Sequence, residues 1–338
     1  MSKDEEETKK ATDEESEEKA EYKSLKDVPG IGPETITKLK KIGIQTVEAL
    51  AMSTELELKD SGIGEEKAKA LIAAARATIS IPFMTAAQFA EKQKPVLRIT
   101  TGCKSLDQLL AGGVESQTIT ELYGEFESGK SQICHQLCVN VQLPPEKGGL
   151  DAAALYIDTE STFHPQRIKS MAEALGLDVS EVFKKIIIAE AITSDHQIQL
   201  LNVADKVIQK NNIKLVIIDS LTAHFRSEYL GREFLAPRQQ KLNQHLFRLA
   251  RLAKVFNLVA VVTNQVMAKP DAFFSDPTAP IGGHILSHTA HNILYLRKTK
   301  GPGMRIAKLV ASPYLPEGES RYRILEEGIR DVPEEEKK

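Results

Sequence analysis

The chain has 338 residues, 41% of them hydrophobic, and a formal net charge of −3. This length suits one sizeable core together with a small second domain. No apolar run is long enough to cross a bilayer, and no signal peptide precedes the charged N-terminus. We therefore expect a soluble protein of the cytoplasm that has no membrane partner.

The acidity is local to the N-terminus. Residues 1–20 contain nine Asp or Glu and four Lys, and the remainder of the chain carries a net charge of +2. Because this stretch has no apolar periodicity, we predict a disordered acidic tail over residues 1–21. A solvating role is the simpler interpretation, and a specific role is the alternative.

The cysteines do not indicate a disulfide framework or a metal site. Cys103, Cys134 and Cys138 are too few and too clustered for a framework. No second ligand pair at zinc-binding spacing accompanies them. We predict that they are buried as small hydrophobic residues.

Residues 22–80 contain one unit twice, as DVPGIGPETITKLKKIGI and as KDSGIGEEKAKALIAAARA. In each copy a Gly-Ile-Gly turn leads into a helix with apolar residues three or four positions apart. The pattern predicts an all-α helix-hairpin-helix DNA-binding domain, whose glycines let backbone N–H groups approach a DNA phosphate. The alternative is that the glycines only form tight turns. The residues concerned are Gly30, Gly32, Gly62 and Gly64, with Lys38, Lys40, Lys41, Lys67 and Lys69 available to strengthen phosphate binding.

Residues 81–94, IPFMTAAQFAEKQK, form a linker. Pro82 ends the preceding helix. Phe83 and Ala86 then have little local core in which to be buried. This pair either packs against its own domain or is offered to a neighbouring molecule.

Residues 95–332 alternate short apolar runs with helical segments. This order predicts an α/β fold with a mostly parallel sheet that helices cover on both faces. Ligands of such sheets bind at the carboxyl ends of the strands. Residues 333–338 complete the chain as a charged tail. The strand-like runs are TITELYG, AALYID, KIIIAEA, KLVIIDS and LVAVVTNQ.

The stretch GEFESGKS, residues 124–131, fits the Walker A pattern between a strand and a helix. Its backbone N–H groups would cradle the phosphates of a nucleotide, Lys130 would reach the β and γ phosphates, and the Ser131 hydroxyl would help to hold Mg²⁺. The predicted nucleotide-binding residues are Gly124, Glu125, Phe126, Glu127, Ser128, Gly129, Lys130, Ser131 and Gln132.

Two acidic side chains follow other apolar strands. In KLVIIDS, Asp219 follows four apolar residues in the Walker B arrangement, which predicts a second Mg²⁺ ligand. Glu160, just past the strand ALYID, is the candidate general base that orients water. The alternatives are a helix cap for Asp219 and a solvated loop acid for Glu160.

Motifs along the whole chain resemble one family. From the first hairpin to the C-terminus, their number and order are similar to those of archaeal RadA recombinases, which belong to the RecA-like strand-exchange family. The resemblance implies a RecA-like P-loop ATPase core whose ATP hydrolysis depends on DNA. It also implies a protein that forms filaments on single-stranded DNA and promotes strand exchange in DNA repair. The implied location is the cytoplasm, at the nucleoid. The motifs are GEFESGKSQICHQL, VNVQLPPEKGG, YIDTE, SDHQIQLL, RQQKLNQHL, TNQVM and LPEGE.

The resemblance also assigns roles at the nucleotide. It implies that Glu160 is the catalytic glutamate, that Arg167 stacks on adenine, and that Gln265 senses the γ-phosphate and relays its presence to DNA. The family often has an aspartate at the position of Ala311, where it reaches the nucleotide and a monovalent cation. Whether K⁺ is a cofactor is therefore open.

The resemblance also implies which residues bind DNA and which join one subunit to the next. HFRSEYLGREFLAPRQQ resembles the family's first DNA-binding loop and offers Arg226, Arg232 and Arg238, while residues 267–288 resemble the second loop. Phe83 and Ala86 match the FxxA motif by which one subunit docks on the next. The implied partners are single-stranded and double-stranded DNA, further copies of the chain in rings and filaments, and recombination mediators.

Two rival functions remain open at this point. A RecA-like hexameric helicase shares the P-loop core, but it gives no reason for FMTA preceded by two hairpins. A non-catalytic paralogue that acts as a mediator keeps the fold, but the intact Lys130, Asp219 and Glu160 argue against it.

Overall fold

The computed structural model describes residues 24–78, 85–268, 278–280 and 289–333. The chain forms two compact units, which meet between Gln93 and Lys94 in the sequence. The predicted acidic tail, Phe83 and most of the stretch that resembles the second DNA-binding loop lie outside the described residues.

The N-terminal unit is a small bundle of short helices. Apolar side chains at helical spacing form its core, among them Leu39, Leu50 and Leu58, which are fully buried. Thr54 starts one helix with a capping box, because its hydroxyl accepts from the Glu57 N–H while the Glu57 carboxylate accepts from Thr54 N–H. After a 3₁₀ turn at Leu25–Asp27, the helices are α1 (Pro33–Lys41), α2 (Val47–Ala51), α3 (Glu55–Asp60) and α4 (Glu65–Thr78).

The two Gly-Ile-Gly turns lead directly into α1 and α4, as the repeat predicts. Gly30 and Gly62 have φ angles of +85° and +83°. Glycine adopts this left-handed conformation without steric cost. Gly32 is the N-cap of α1 and has no side chain to occupy the helix N-terminus.

The predicted linker contains a helix that the sequence analysis did not identify, α5 (Ala86–Lys92). Thr85 and Gln88 form a capping box at its start. The helix has no buried residue, and Phe89 is 54% exposed. Ala86 is its first residue and is exposed.

The C-terminal unit is built on a nine-stranded sheet in the order β13-β12-β11-β10-β3-β7-β6-β4-β5. The six strands from β10 to β5 in that order are mutually parallel, and the other three extend the sheet in antiparallel fashion. The strands are β1 (Arg98–Ile99), β2 (Val114–Glu115), β3 (Ile119–Gly124), β4 (Ala153–Asp158), β5 (Ile186–Glu190), β6 (Ile213–Asp219), β7 (Val259–Asn264), β8 (Val266–Ala268), β9 (Thr278–Pro280), β10 (Asn292–Lys298), β11 (Met304–Ala311), β12 (Gly318–Leu325) and β13 (Gly328–Asp331).

Helices cover both faces of this sheet, which confirms the predicted α/β class. Alternate residues of each strand point to opposite faces, so Tyr156 joins one hydrophobic cluster and Ile157 the other. The three cysteines lie fully buried in the first cluster, as predicted. The helices are α6 (Lys104–Leu109), α7 (Lys130–Asn140), α8 (Pro165–Ala174), α9 (Val179–Lys184), α10 (Ser194–Lys210), α11 (Ala223–Glu228) and α12 (Leu235–Phe256). None of the described helices is both long and apolar enough to span a membrane.

One acidic side chain, Glu121, is buried inside the sheet. It lies on β3, is 0% exposed, and its Oε1 accepts a hydrogen bond of 2.8 Å from Asn264 Nδ2. Its Oε2 has no hydrogen-bond partner among the described residues. Burial disfavours the charged form and raises the pKa of Glu121 from 4.5 to about 7, although the Asn264 hydrogen bond opposes this.

This raised pKa makes stability depend on pH. Between about pH 4.5 and 7 the folded state binds the proton that the unfolded state releases. The free energy of unfolding therefore falls as pH rises through that window, by on the order of 3 kcal/mol for this group. We expect Glu121→Gln, which does not titrate, to gain stability relative to the parent between pH 5 and pH 8.

Urea denaturation of the full chain at both pH values measures this difference. Thr120→Val is the matched control, since Thr120 is the preceding, equally buried residue of β3. The difference in the free energy of unfolding between Thr120→Val and the parent should be independent of pH. An equal difference between Glu121→Gln and the parent at pH 5 and pH 8 would show that Glu121 titrates normally.

Candidate nucleotide-binding site

The Walker A loop joins β3 to α7, and its two glycines are sterically required. A Cβ on Gly124 would lie 2.2 Å from the Leu296 carbonyl oxygen, and one on Gly129 would lie 2.8 Å from Ile324 Cδ1. Gly129 is the N-cap of α7, with φ at +107°. The backbone N–H groups at the start of α7 have no intrahelical acceptors, so this end of the helix favours a phosphate group.

Lys130 is the first residue of α7 and folds over the loop. Its Nζ donates to the carbonyl oxygens of Gly124 at 2.9 Å and Glu125 at 2.8 Å. Burial lowers the pKa of Lys130, and the negative charges of Asp219 and Glu160 oppose that shift. The ammonium group is thus held beside the loop by neutral acceptors, which a phosphate oxygen can replace.

Asp219 ends β6 and is 1% exposed. Its Oδ2 accepts from the Tyr156 hydroxyl at 2.6 Å and from Thr162 Oγ1 at 3.1 Å, while its Oδ1 accepts from the Thr263 hydroxyl. These donors are neutral, and Asp219 forms no salt bridge with any described residue. A buried carboxylate without a cation, together with the Ser131 hydroxyl, supplies the oxygen ligands that Mg²⁺ prefers.

Glu160 follows β4, and its position depends on Asp158. Asp158 is 4% exposed, and its Oδ1 accepts from the backbone N–H groups of Glu160 at 3.2 Å and Thr162 at 3.1 Å. Asp158 therefore fixes the turn, whereas the Glu160 side chain is exposed. Partial burial of its carboxyl group and the charge of Asp219 raise the pKa of Glu160. A raised pKa suits a general base that must act near neutral pH.

Gln265 connects Glu160 to the segment that resembles the first DNA-binding loop. It follows β7, and its Nε2 donates to Glu160 Oε1 at 2.7 Å. Its Oε1 accepts a long hydrogen bond of 3.5 Å from the Arg226 guanidinium. One amide thus contacts the candidate general base on one side and a candidate DNA-binding residue on the other.

Arg167, on α8, contacts the P-loop helix through a hydrogen bond that its Nε donates to Gln132 Oε1 at 2.6 Å. The guanidinium also donates to the Leu325 carbonyl at 2.6 Å and to the carbonyl of Glu326. It therefore ties the start of α7 to the turn after β12. Stacking of Arg167 on adenine remains a prediction.

Sequence reasoning missed the basic residues at the tip of the P-loop. Glu127 has a φ of +58° and forms an ion pair with Lys298 of β10. Arg305 Nε, from β11, donates to the Glu127 carbonyl at 3.1 Å. Because Lys298 lies 171 positions from Glu127, no local pattern could connect the two.

The candidate DNA-binding arginines lie on different elements. Arg226 is on α11, Arg232 is exposed between α11 and α12, and Arg238 is half-buried on α12. In the N-terminal unit, three of the candidate lysines bind within the unit instead. Lys38 Nζ contacts Glu34 at 2.8 Å, Lys67 Nζ donates to Thr35 Oγ1 at 2.9 Å, and Lys69 Nζ contacts Glu65 at 3.3 Å.

Family models and known proteins match almost the whole length of this chain. The family model Rad51 matches residues 92–332, and the model for the SAM-like helix-hairpin-helix tandem matches residues 22–77. The DNA repair and recombination protein RadA of Aeropyrum pernix is 50% identical over 316 residues, 93% of this chain and 99% of that protein. RadA of Metallosphaera sedula is 50% identical over 320 residues, 94% and 98% of the two chains. The chain therefore belongs to the Rad51 family, among the archaeal RadA recombination proteins.

Proposed function

We propose that this chain is a DNA repair and recombination protein that hydrolyses ATP in response to DNA, assembles on single-stranded DNA and promotes homologous pairing and strand exchange. The observation that carries the proposal is the contact series from Glu160 through Gln265 to Arg226. It joins a candidate catalytic base to a candidate DNA-binding residue. The names of the RadA relatives support the same role in repair and recombination.

Each residue of the site has a proposed task in ATP hydrolysis. Lys130 would exchange its two carbonyl acceptors for oxygens of the β and γ phosphates, and the loop N–H groups would bind the same phosphates. Glu160 would accept a proton from the attacking water. Ser131 and Asp219 would hold Mg²⁺, which supplies positive charge to the phosphates. ATP and Mg²⁺ are the proposed cofactors. K⁺ is a further candidate, although Ala311, the last residue of β11, has no carboxylate to bind it.

The proposed assembly uses the linker. Ala86 is exposed at the start of α5, a helix with no buried residue of its own. An exposed apolar segment of this kind is suited to packing against another molecule. Phe83, the other half of the FxxA match, lies outside the described residues. Single-stranded and double-stranded DNA, further copies of the chain and recombination mediators are the proposed partners.

Electron microscopy of the purified protein with ATP, Mg²⁺ and single-stranded DNA tests the proposed function. We expect helical filaments on the DNA, and we expect Phe83→Glu to prevent them, because a charge in an apolar contact is costly. Closed rings that encircle DNA without extending into filaments would favour the helicase. Absence of any assembly on DNA by the parent protein would favour the non-catalytic paralogue.

Glu160→Gln tests the catalytic role of Glu160. The new amide keeps an oxygen that can accept from Gln265 but cannot take a proton from water. We expect ATP binding to persist and the turnover rate to fall by about 10² to 10⁴. Glu190→Gln, an exposed acid at the end of β5, is the control and should match the parent. Parental turnover by Glu160→Gln in single-turnover assays would assign the base elsewhere.

Arg232→Ala tests whether the segment between α11 and α12 binds the DNA backbone. We expect weaker binding of single-stranded DNA. The slope of log binding constant against log salt concentration should become shallower by about 0.7 for each lost phosphate contact. Lys184→Ala removes an exposed cation from α9 and serves as the control. Identical salt titrations for Arg232→Ala and Lys184→Ala would place Arg232 away from the DNA path.

A further inference from the structure

The residue before Gln265, Asn264, joins three elements of the core. It is the last residue of β7 and is 0% exposed. Its Nδ2 donates to Glu121 Oε1 at 2.8 Å. Its Oδ1 accepts from Thr222 Oγ1 at 2.8 Å and from the backbone N–H of Gln265 at 2.9 Å. One buried side chain thus contacts β3, the start of α11 and the backbone that carries Gln265.

The Thr222 hydroxyl bonds to the core instead of capping its own helix. It is the N-cap residue of α11, where a threonine hydroxyl ordinarily accepts from the first turn of the helix, yet it makes no such bond. The hydroxyl donates inward to Asn264 instead. One turn later the same helix carries Arg226, whose guanidinium reaches Gln265. The helix therefore contacts the Asn264–Gln265 pair at two points.

Glu121 ties this cluster to the nucleotide loop. It lies on β3, whose last residue is Gly124, the first residue of the Walker A motif. Among the described residues only one oxygen of this buried carboxyl group has a hydrogen-bond partner, and an unpartnered buried oxygen costs folding free energy. Glu121 lies on the P-loop strand β3, next to β7, which ends beside Gln265. A role in positioning these two strands would account for the cost of burying its carboxyl group.

We propose that Asn264, Glu121 and Thr222 form a positioning cluster that fixes Gln265 relative to the P-loop strand and to α11, so that DNA bound at α11 alters the hydrogen bond between Gln265 and Glu160. The inference rests on the proposed function. The three residues act through Gln265 and need no contact with ATP or DNA. Movement of α11 would pull directly on Asn264 and hence on the backbone of Gln265.

Thr222→Val is the sharpest test, because it removes one hydroxyl and keeps the side-chain shape. The measured quantity is the ratio of the ATP turnover rate with single-stranded DNA to the rate without it. Loss of one buried hydrogen bond is worth about 1 kcal/mol, so we expect the stimulation to fall about fivefold. Thr222→Ser, made separately in the parent, retains the hydroxyl and should keep the parental ratio.

Thr120→Val controls for a general loss of core packing. Thr120 is a buried threonine of β3 whose hydroxyl has no partner among the described residues. Its variant should keep the parental ratio. A parental ratio in Thr222→Val, or an equal fall in Thr120→Val, would overturn the inference. A parent protein that shows no stimulation by DNA would instead overturn the proposed function.

A second pair of variants tests the contact between Asn264 and Glu121. Asn264→Asp places a carboxylate oxygen opposite Glu121 Oε1 in place of a donor, so we expect the stimulation ratio to fall. Adding Glu121→Gln supplies a new N–H donor from the other side and should recover the ratio. Failure of the double variant to exceed Asn264→Asp, with both folded by circular dichroism, would contradict a role for this contact.

Discussion

The alignment of parallel strands is the constraint on which the site depends. Parallel strands bring their carboxyl ends to the same edge of a sheet. Here Asp158 of β4 is paired in register with Asp219 of β6, and Tyr123 of β3 is paired with Asn264 of β7. The residues that follow these strands are therefore close in space although they are far apart in sequence.

Burial of charge then sets the chemistry of that edge. Asp219 is held by hydroxyl donors and Asp158 by backbone N–H groups, so both stay in place at a low dielectric. Burial lowers the pKa of Lys130, and partial burial together with the charge of Asp219 raises the pKa of Glu160, so the neutral form of each group is favoured. We propose that Asp219 and Asp158 position the site and that Lys130 and Glu160 act on the phosphates and on water.

Sequence patterns predicted the parts of the fold that local rules determine. The glycines of the Walker A loop, the apolar strand before Asp219 and the repeated hairpins all follow from backbone sterics and hydrophobic periodicity. The letters TAAQ fit the capping box of Thr85 and Gln88 at the start of α5, but the predicted linker did not include this helix.

Other features depend on contacts between distant segments. The antiparallel strands β11–β13, the pairing of Glu127 with Lys298 and the anchoring of Arg167 to the turn after β12 have no local signature. Asn264 shows the same limit. The letters TNQ indicate a polar strand end, but only the tertiary structure shows that Glu121 and Thr222 meet there.

The hydrogen bond between Gln265 and Glu160 is the proposed link between the candidate nucleotide-binding site and the candidate DNA-binding residue Arg226. The rate of ATP hydrolysis by Gln265→Ala, measured with and without single-stranded DNA, tests it most directly. We expect DNA to accelerate hydrolysis by the parent protein and to have no effect on the variant, which should still bind ATP through Lys130 and the P-loop. Acceleration of the variant to the parental extent would contradict this link.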